Sequence, residues 1–174
     1  IFQSFNLIGD LTVYENVELP LTYRGMRSSE RKERVQESLE RVGMAHRMKH
    51  YPSQLSGGEQ QRLILAGALA QSKSCLLLDD PLSMVGGYSR REMLRLLKTI
   101  HETLACTMLH TTHLLEEAVV AQRLIALERG GVVFDGSPCD FLLDRKLIDH
   151  LGLGVPAIVQ LGELLAESGL TEPG

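Results

Sequence analysis

The sequence predicts an α/β fold in which a helical half precedes a strand-rich half, and three patterns lead to this prediction. Apolar residues recur at helical spacing over residues 12–70, where no strand pattern occurs. After Ser74 the period changes, and short apolar runs typical of strands flank a helical stretch. A Gly-Gly turn then joins two further strand patterns. Alternation of strand and helix is typical of an α/β layer.

The helical half contains two runs of apolar residues spaced three or four apart, each followed by a glycine that can end a helix. The runs are Val13, Val17 and Leu21 before Gly25, and Val35, Leu39 and Val42 before Gly43. In the second half, we expect a parallel strand pair, a hairpin and a short helical tail. These elements are strands at residues 75–78 and 107–109 with a helix at 88–104 between them, strands at 123–128 and 132–135 joined by Arg129-Gly130-Gly131, and helical patches from Ser137 onward.

Length and composition favour one compact domain. The 174 residues are 44% hydrophobic, which is enough for a core, and 23% charged, which argues against disorder. No run approaches the roughly 18 apolar residues that a membrane span requires. The chain begins at Ile1 with neither Met nor a secretory leader, so we expect a piece of a longer polypeptide.

Net charge and cysteine content indicate which partners and which cellular compartment to expect. The net charge is −4 and the basic residues are interleaved with acids, so a nucleic-acid partner is not expected. Cys75, Cys106 and Cys139 are odd in number and lack metal-ligand spacing, and two of them lie in apolar runs that suit buried strands. A reducing cytoplasm fits these features best.

Residues 55–62, Leu-Ser-Gly-Gly-Glu-Gln-Gln-Arg, form the most informative stretch of the chain. Ser56 can cap a helix and Glu59 follows three residues later, so the spacing satisfies a capping box. The N–H groups of the first turn and the positive end of the helix dipole would then favour an anion such as phosphate. A plain capped helix would be the simpler interpretation of Ser-Gly-Gly-Glu alone.

Two carboxylates and a histidine follow the two predicted parallel strands. Asp79 and Asp80 come directly after the first strand, at the sheet edge where open α/β folds bind their ligands. Acids there can hold a metal ion, although an acidic loop before Pro81 is the plainer interpretation of the pair alone. His113 lies just past the second strand, where a lone histidine would usually be structural.

In this order, the segments resemble the motifs of ATP-binding cassette (ABC) ATPases. Residues 55–62 resemble the signature motif, residues 76–80 the Walker B strand, residues 109–113 the switch-histidine loop, and residues 1–3 the end of the strand that carries the Q-loop. The resemblance implies a partial P-loop NTPase fold with an inserted helical subdomain and a short helical C-terminal tail. The implied parts are a helical signature subdomain at residues 10–71, an α/β core with Walker B and the switch histidine at 72–136, and the tail at 137–174.

The resemblance also implies ATP and Mg²⁺ as cofactors and assigns roles to single residues. Asp79 matches the carboxylate that holds Mg²⁺ through water, and Asp80 matches the general base. His113 matches the histidine that hydrogen-bonds the γ-phosphate and orients the attacking water, with His110 the weaker candidate. Gln3 matches the glutamine that contacts both Mg²⁺ and the attacking water.

ABC ATPases enclose ATP in a head-to-tail dimer, between the P-loop of one subunit and the signature of the other. By resemblance, the residues that serve the partner's nucleotide are Ser56, Gly57, Gly58, Glu59 and Gln60. The P-loop pattern G-x-x-x-x-G-K-[ST] occurs nowhere in the 174 residues. We therefore expect the piece alone to be inactive and to bind ATP weakly.

Several positions depart from the family pattern. Asp80 stands where Glu is usual, which retracts the carboxylate by about 1 Å and predicts slow hydrolysis. Gly86 replaces the aspartate that communicates across the dimer, and Leu82 and Leu114 replace a customary Thr and Asp. Together these changes suggest a degenerate site.

The two ends of the chain resemble different subgroups. Residues 5–21 are similar to the ATPases of lipoprotein-release and macrolide exporters. Residues 83–84, 90–92, 117–119, 136–156 and 160–161 are similar to energy-coupling factor ATPases, which drive uptake of vitamins, cobalt or nickel. The second resemblance is favoured because it covers more residues.

Two other functions stay open. A non-hydrolysing regulatory subunit would lend its signature to an active partner, and the substitutions at Asp80, Gly86 and Leu114 favour it. An ABC ATPase of DNA repair or translation is disfavoured by the acidic balance and by the compact stretch between Gln3 and Ser56, where the repair type inserts a coiled coil.

The leading interpretation implies two partners and a location. The partners are a second ABC ATPase subunit, identical or not, and a transmembrane transporter subunit, which would place the protein on the cytoplasmic face of the cell membrane. Residues 14–23 are the candidate docking surface, unless they belong to the core. The transported substrate is not encoded here, since other subunits select it.

Overall fold

The computed structural model describes residues 7–71, 74–82, 85–155 and 157–168. The chain divides into two compact units, Ile1–Thr111 and Thr112–Gly174. Each unit has its own cluster of buried apolar side chains. Across the described residues, no helix is both long and apolar enough to cross a membrane.

Three α-helices make up most of the first unit before residue 71, and they confirm the helical prediction. They are α1 (Val13–Tyr23), α2 (Ser28–Arg41) and α3 (Gly57–Ala70), with short 3₁₀ turns at Ala45–Arg47 and Pro52–Gln54 between α2 and α3. The six apolar residues predicted to share buried faces are all at 0% exposure. Gly25 and Gly43 follow α1 and α2 with φ angles of 68° and 71°, a left-handed conformation that glycine adopts without strain.

The start of α1 is fixed by the side chains of Thr12 and Asn16. Thr12 Oγ1 accepts a hydrogen bond from the Glu15 amide at 3.3 Å, and Glu15 Oε2 accepts one from the Thr12 amide at 2.7 Å, which closes a capping box. Asn16 Oδ1 accepts from the Ile8 amide at 2.9 Å. Asn16 Nδ2 donates to the carbonyls of Ile8, Leu11 and Thr12 at 2.9–3.1 Å. These bonds attach the loop before α1 to the helix itself.

The strands of the first unit form the parallel pair that the sequence predicts. β1 (Cys75–Asp79) and β2 (Thr107–Thr111) are connected by α4 (Gly87–Leu104). Their register runs from Cys75 opposite Thr107 to Asp79 opposite Thr111. The two strands therefore end side by side.

The prediction of a buried strand is wrong for one face of β1. Leu76 and Leu78 are buried, but Leu77 is 56% exposed and Cys75 is exposed as well. Successive side chains of a strand point to opposite faces, and on the second face of this sheet Leu77 of β1 and Leu109 of β2 are both more than half exposed. The expected burial of Cys75 is thus also wrong, whereas Cys106, just before β2, is buried.

The described residues of the second unit form a short helix, a hairpin and three further helices. They are α5 (Leu115–Ala118), the antiparallel strands β3 (Leu124–Glu128) and β4 (Gly131–Gly136), and the helices α6 (Pro138–Leu143), α7 (Arg145–His150) and α8 (Ala157–Glu167). The hairpin and the helical tail are confirmed over the described residues, and α5 is an addition that no sequence pattern predicts.

The hairpin turn has the backbone of a tight two-residue connection between strands. Arg129 and Gly130 both have positive φ angles, 50° and 81°, as in the two-residue turns that match the twist of paired strands. At the open end of the hairpin, the Arg123 guanidinium donates two hydrogen bonds of 2.7 Å to the Asp135 carboxylate. This pairing holds the pKa of Asp135 below its usual range. The bidentate contact pins the register there.

Candidate functional site

Ser56 is the N-cap of α3, as the sequence predicts. Its Oγ accepts from the Glu59 amide at 3.3 Å, while Glu59 Oε2 accepts from the Ser56 amide at 2.9 Å and from the Ser56 hydroxyl at 2.8 Å. The capping box is therefore complete. The Ser56 backbone bond, followed by the Ser56 hydroxyl bond, holds the pKa of the Glu59 carboxyl below its usual range.

Arg47, at the end of the 3₁₀ turn Ala45–Arg47, supports this cap. Its Nε donates to Glu59 Oε1 at 3.2 Å, so the two oxygens of the carboxylate contact different partners. Arg47 Nη1 lies 3.0 Å from His50 Nε2. Since an arginine can only donate, this nitrogen of His50 is the acceptor. Sequence reasoning missed Arg47, because nothing in the local pattern links it to Glu59 12 residues later.

The two glycines at the start of α3 leave room around their amides. The first N–H groups of a helix have no intrahelical acceptor, so the amides of Gly57 and Gly58 are available to a ligand. A Cβ at Gly57 would meet nothing within 4 Å, and one at Gly58 would meet only the Ser89 side chain, at 3.6 Å. Gly58 borders a small cleft of about 120 Å³ between the starts of α3 and α4.

Further along α3, Gln60 and Arg62 have mainly structural contacts. Gln60 Nε2 donates to the carbonyls of Pro52 and Leu55 at 3.0 and 3.3 Å, which shapes the chain entering the helix. Arg62 Nη1 donates to the Val42 carbonyl at 3.1 Å. Its Nη2 lies 3.6 Å from a carboxylate oxygen of Glu92 on the opposite side of the cleft. The role of Gln60 toward a nucleotide stays a prediction.

The two carboxylates lie at the end of β1, as expected, and Thr111 of β2 contacts both residues. Thr111 Oγ1 donates to Asp79 Oδ1 at 2.7 Å and accepts from the Asp80 amide at 3.0 Å. The Thr111 carbonyl also accepts from the Asp80 amide, at 3.1 Å. Thr111 is a second residue that sequence reasoning missed, because only the register of the strands brings it to Asp79.

Asp80 has a left-handed backbone, with a φ of 42°. Residues with a Cβ rarely adopt this conformation, and Asp is one of the types that tolerate it best. Asp80 is half-buried, whereas Asp79 is exposed. The chain thus turns sharply at the point where the sheet edge presents its two carboxylates.

The described residues fit a metal site that has few protein ligands. They contain no group of three or more His, Cys, Asp or Glu residues able to hold a metal ion. Asp79 Oδ2 accepts no hydrogen bond from any of them. Mg²⁺ is commonly bound by one or two carboxylates together with water and substrate phosphates. Asp79 therefore suits an ion that arrives with a nucleotide.

Other predicted residues lie outside this group. Gln3 is not among the described residues. His113 is exposed, two residues after β2, and belongs to the second unit. The roles of both stay predictions.

Two departures from the expected pattern have a structural account. Leu82 is fully buried in the core of the first unit, where the hydroxyl of a threonine would need a hydrogen-bond partner. Gly86 is the N-cap of α4 and has no side chain with which to cap it. An aspartate would be a strong cap at that position.

The chain is similar in sequence to one family model and to individual known proteins. A family model described as "ABC transporter" matches residues 1–83. The chain is 37% identical over 163 residues to the energy-coupling factor transporter ATP-binding protein EcfA1 of Latilactobacillus sakei, which covers 93% of the chain and 58% of EcfA1. It is 42% identical over 135 residues to the macrolide export ATP-binding/permease protein MacB of Vibrio parahaemolyticus, which covers 78% of the chain and 20% of MacB.

A solved structure is similar in fold as well. It is the dimeric post-hydrolysis state of the ATP-binding cassette MJ0796 bound to ADP and Pi, with a TM-score of 0.68 and 36% identity. The match covers 79% of the chain and 61% of that cassette. The chain thus spans about three fifths of EcfA1 and of this cassette.

Proposed function

Because the chain is a relative of the ABC ATPases and has part of their fold, we propose that the full protein is the ATP-binding and hydrolysing subunit of a membrane ABC transporter. The energy-coupling factor type, which powers uptake of a vitamin or a metal ion, is favoured over an exporter. The reason is coverage, since the EcfA1 match extends over 93% of the chain and the MacB match over 78%.

The start of α3 is the observation that carries the proposal. Ser56, held by a complete capping box, stands beside the two glycine amides that the helix leaves without acceptors. These groups and the positive end of the helix dipole favour a phosphate. Neither glycine position is crowded, so a phosphate group can approach the backbone closely. Ser56, Gly57 and Gly58, with Glu59 and Gln60 behind them, would contact the γ-phosphate side of an ATP bound to a partner subunit.

Asp79 and Asp80 at the end of β1, together with Gln3 and His113, would supply the hydrolytic groups for the protein's own ATP. Asp79 would hold Mg²⁺ through water, with Gln3 as the second contact, and the bound ion neutralises phosphate charge. Asp80 would accept the proton of the attacking water, and His113 would orient that water against the γ-phosphate. Each of these residues acts by position and charge, which is what phosphoryl transfer requires of a protein.

The proposal requires two partners. A second ABC ATPase subunit, identical or different, completes each nucleotide site, and a transmembrane subunit converts closure of the pair into transport. The protein would then act at the cytoplasmic face of the cell membrane. ATP binding would close the pair, and the helical part would rotate and move the transmembrane subunit.

ATP turnover by the full-length protein tests the proposed function. We expect the protein, purified with its partner subunits, to hydrolyse ATP in a Mg²⁺-dependent reaction that requires a dimer. A protein that forms no ATP-dependent dimer and hydrolyses no ATP would contradict the proposal. A protein that hydrolyses no ATP alone but supports ATP turnover by an active ABC partner would instead be the regulatory subunit that the substitutions at Asp80 and Gly86 suggest.

Tyr23 is the residue through which we expect α1 to contact the transmembrane subunit. Val17 and Leu21, in the stretch predicted as a docking surface, belong to the core, whereas Tyr23 at the end of α1 is 84% exposed. Tyr23→Asp should therefore leave folding and ATP binding intact but uncouple transport. The measurement compares substrate uptake with ATP turnover in vesicles that contain the complete transporter.

Leu143→Asp is the matched control, because Leu143 is a large apolar residue that is 78% exposed on the second unit. This control should retain coupled transport. If Tyr23→Asp lowers the unfolding temperature while Leu143→Asp does not, Tyr23 is structural and the docking role is wrong.

A further inference from the structure

Thr111 forms hydrogen bonds with both acidic residues at the end of β1, Asp79 and Asp80. It is the last residue of β2 and lies directly opposite Asp79 in the parallel register. Both residues, and Asp80 beside them, belong to the first unit. No other described side chain donates a hydrogen bond to the Asp79 carboxylate.

The Thr111 hydroxyl donates one hydrogen bond and accepts another. It donates to Asp79 Oδ1 at 2.7 Å and accepts from the Asp80 amide at 3.0 Å. A hydroxyl can do both at once because it has one donor hydrogen and two acceptor lone pairs. A valine of the same shape could do neither, and a serine could do both.

These two bonds fix different parts of the pair. The bond to Oδ1 sets the orientation of the Asp79 carboxylate, while Oδ2 accepts no hydrogen bond from any described residue. The bond from the Asp80 amide, together with the bond of that amide to the Thr111 carbonyl at 3.1 Å, stabilises a backbone turn with a φ of 42°. That turn sets the direction in which the Asp80 side chain leaves the chain.

We propose that Thr111 is a positioning residue, whose hydroxyl orients the Asp79 carboxylate and holds the turn at Asp80. The part concerning Mg²⁺ rests on the proposed function, in which Asp79 holds the ion. Groups that hydrogen-bond a metal ligand typically change metal affinity or activity by about 10- to 100-fold when they are removed. Here the ligand contact is indirect, through water, so we expect the lower end of that range.

The test replaces Thr111 by valine, which removes the hydroxyl, and by serine, which keeps it, in the full-length protein with its partner subunits. Two quantities are measured: hydrogen exchange of the Asp80 amide, and the Mg²⁺ concentration that gives half-maximal ATP turnover. For Thr111→Val we expect exchange several-fold faster and a Mg²⁺ requirement about tenfold higher. Thr111→Ser should restore both quantities to near the wild-type values.

Thr107→Val at the other end of β2 is the control for strand packing, since the Thr107 side chain forms no hydrogen bond with any described residue. It should change neither quantity. If Thr111→Val does not fold, Thr111→Ala removes the same hydroxyl with less bulk.

Exchange or a Mg²⁺ requirement that stays at the wild-type level in the valine or alanine variant would overturn the inference. Failure of the proposed function would give a different experimental result. The wild type would then show no turnover, while the exchange measurement, which needs no catalysis, would still decide whether Thr111 holds the turn.

Discussion

Replacing Asp80 by glutamate in the full-length protein is expected to raise the maximal ATPase rate by about a hundredfold. The glutamate side chain is longer by one methylene, which moves the carboxylate forward by about 1 Å toward the attacking water. A general base must lie within hydrogen-bond reach of the proton that it accepts, so this distance acts on the chemical step itself. The rate is measured at saturating ATP and Mg²⁺, where binding differences do not contribute.

The same substitution is expected to be mildly destabilising, because of the backbone conformation at Asp80. Its φ of 42° is tolerated better by Asp than by Glu, so the substitution should lower the free energy of unfolding by about 1 kcal/mol. Unfolding by urea, measured on the same samples, separates this effect from catalysis.

The matched control is Asp80→Asn, which keeps the length and the tolerance of a left-handed backbone but removes the base. Turnover should then fall to background with little loss of stability. An Asp80→Glu variant that hydrolyses ATP at the wild-type rate would show that the length of this side chain does not limit hydrolysis. It would also remove the main reason to expect a slow enzyme.

Replacing Ser56 by alanine is expected to lower ATP turnover by about a hundredfold, the effect typical of losing one donor to a developing negative charge. The hydroxyl is lost directly, and the start of α3 loses its cap, so the amides of Gly57 and Gly58 are held less firmly. The loss should appear in the maximal rate and in ATP-dependent dimer formation, because the signature serves the partner's nucleotide.

The chain provides a matched control for the structural part of this effect. Thr12 caps α1 with a capping box of the same form, in which Glu15 has the position that Glu59 has for Ser56. Thr12→Ala and Ser56→Ala should each lower the free energy of unfolding by about 1 kcal/mol. Only Ser56→Ala should impair turnover. Equal losses of activity in the two variants would mean that capping, and not contact with a nucleotide, explains the effect of Ser56.

Local features of this protein could be predicted from its sequence because their causes lie within a few residues. Helix faces such as Val13, Val17 and Leu21 follow from spacing, and the cap at Ser56 follows from the residue three positions later. The turn at Arg129-Gly130 follows from Gly130, a residue type that accepts a positive φ.

Features that depend on distant parts of the chain could not be predicted in this way. The contact between Thr111 and Asp79 spans 32 residues and depends on strand register. The exposure of Cys75 and Leu77 depends on which elements cover the sheet, and an apolar run alone predicts burial on both faces. The φ of Asp80 reflects the same long-range geometry. For the candidate site, the sequence therefore identifies the reactive groups but not the residues that orient them.

The side chain of Asn16 connects the loop at residues 8–12 to α1. Its bonds to Ile8, Leu11 and Thr12 leave little slack between the loop and α1. We therefore expect a displacement of the chain at Ile8 to move α1 with it, because these bonds restrain the loop. Through Val13, Val17 and Leu21 it reaches the core that α1 shares with α2 and α3. The loop and α1 are thus expected to move together, with Asn16 as the contact that joins them.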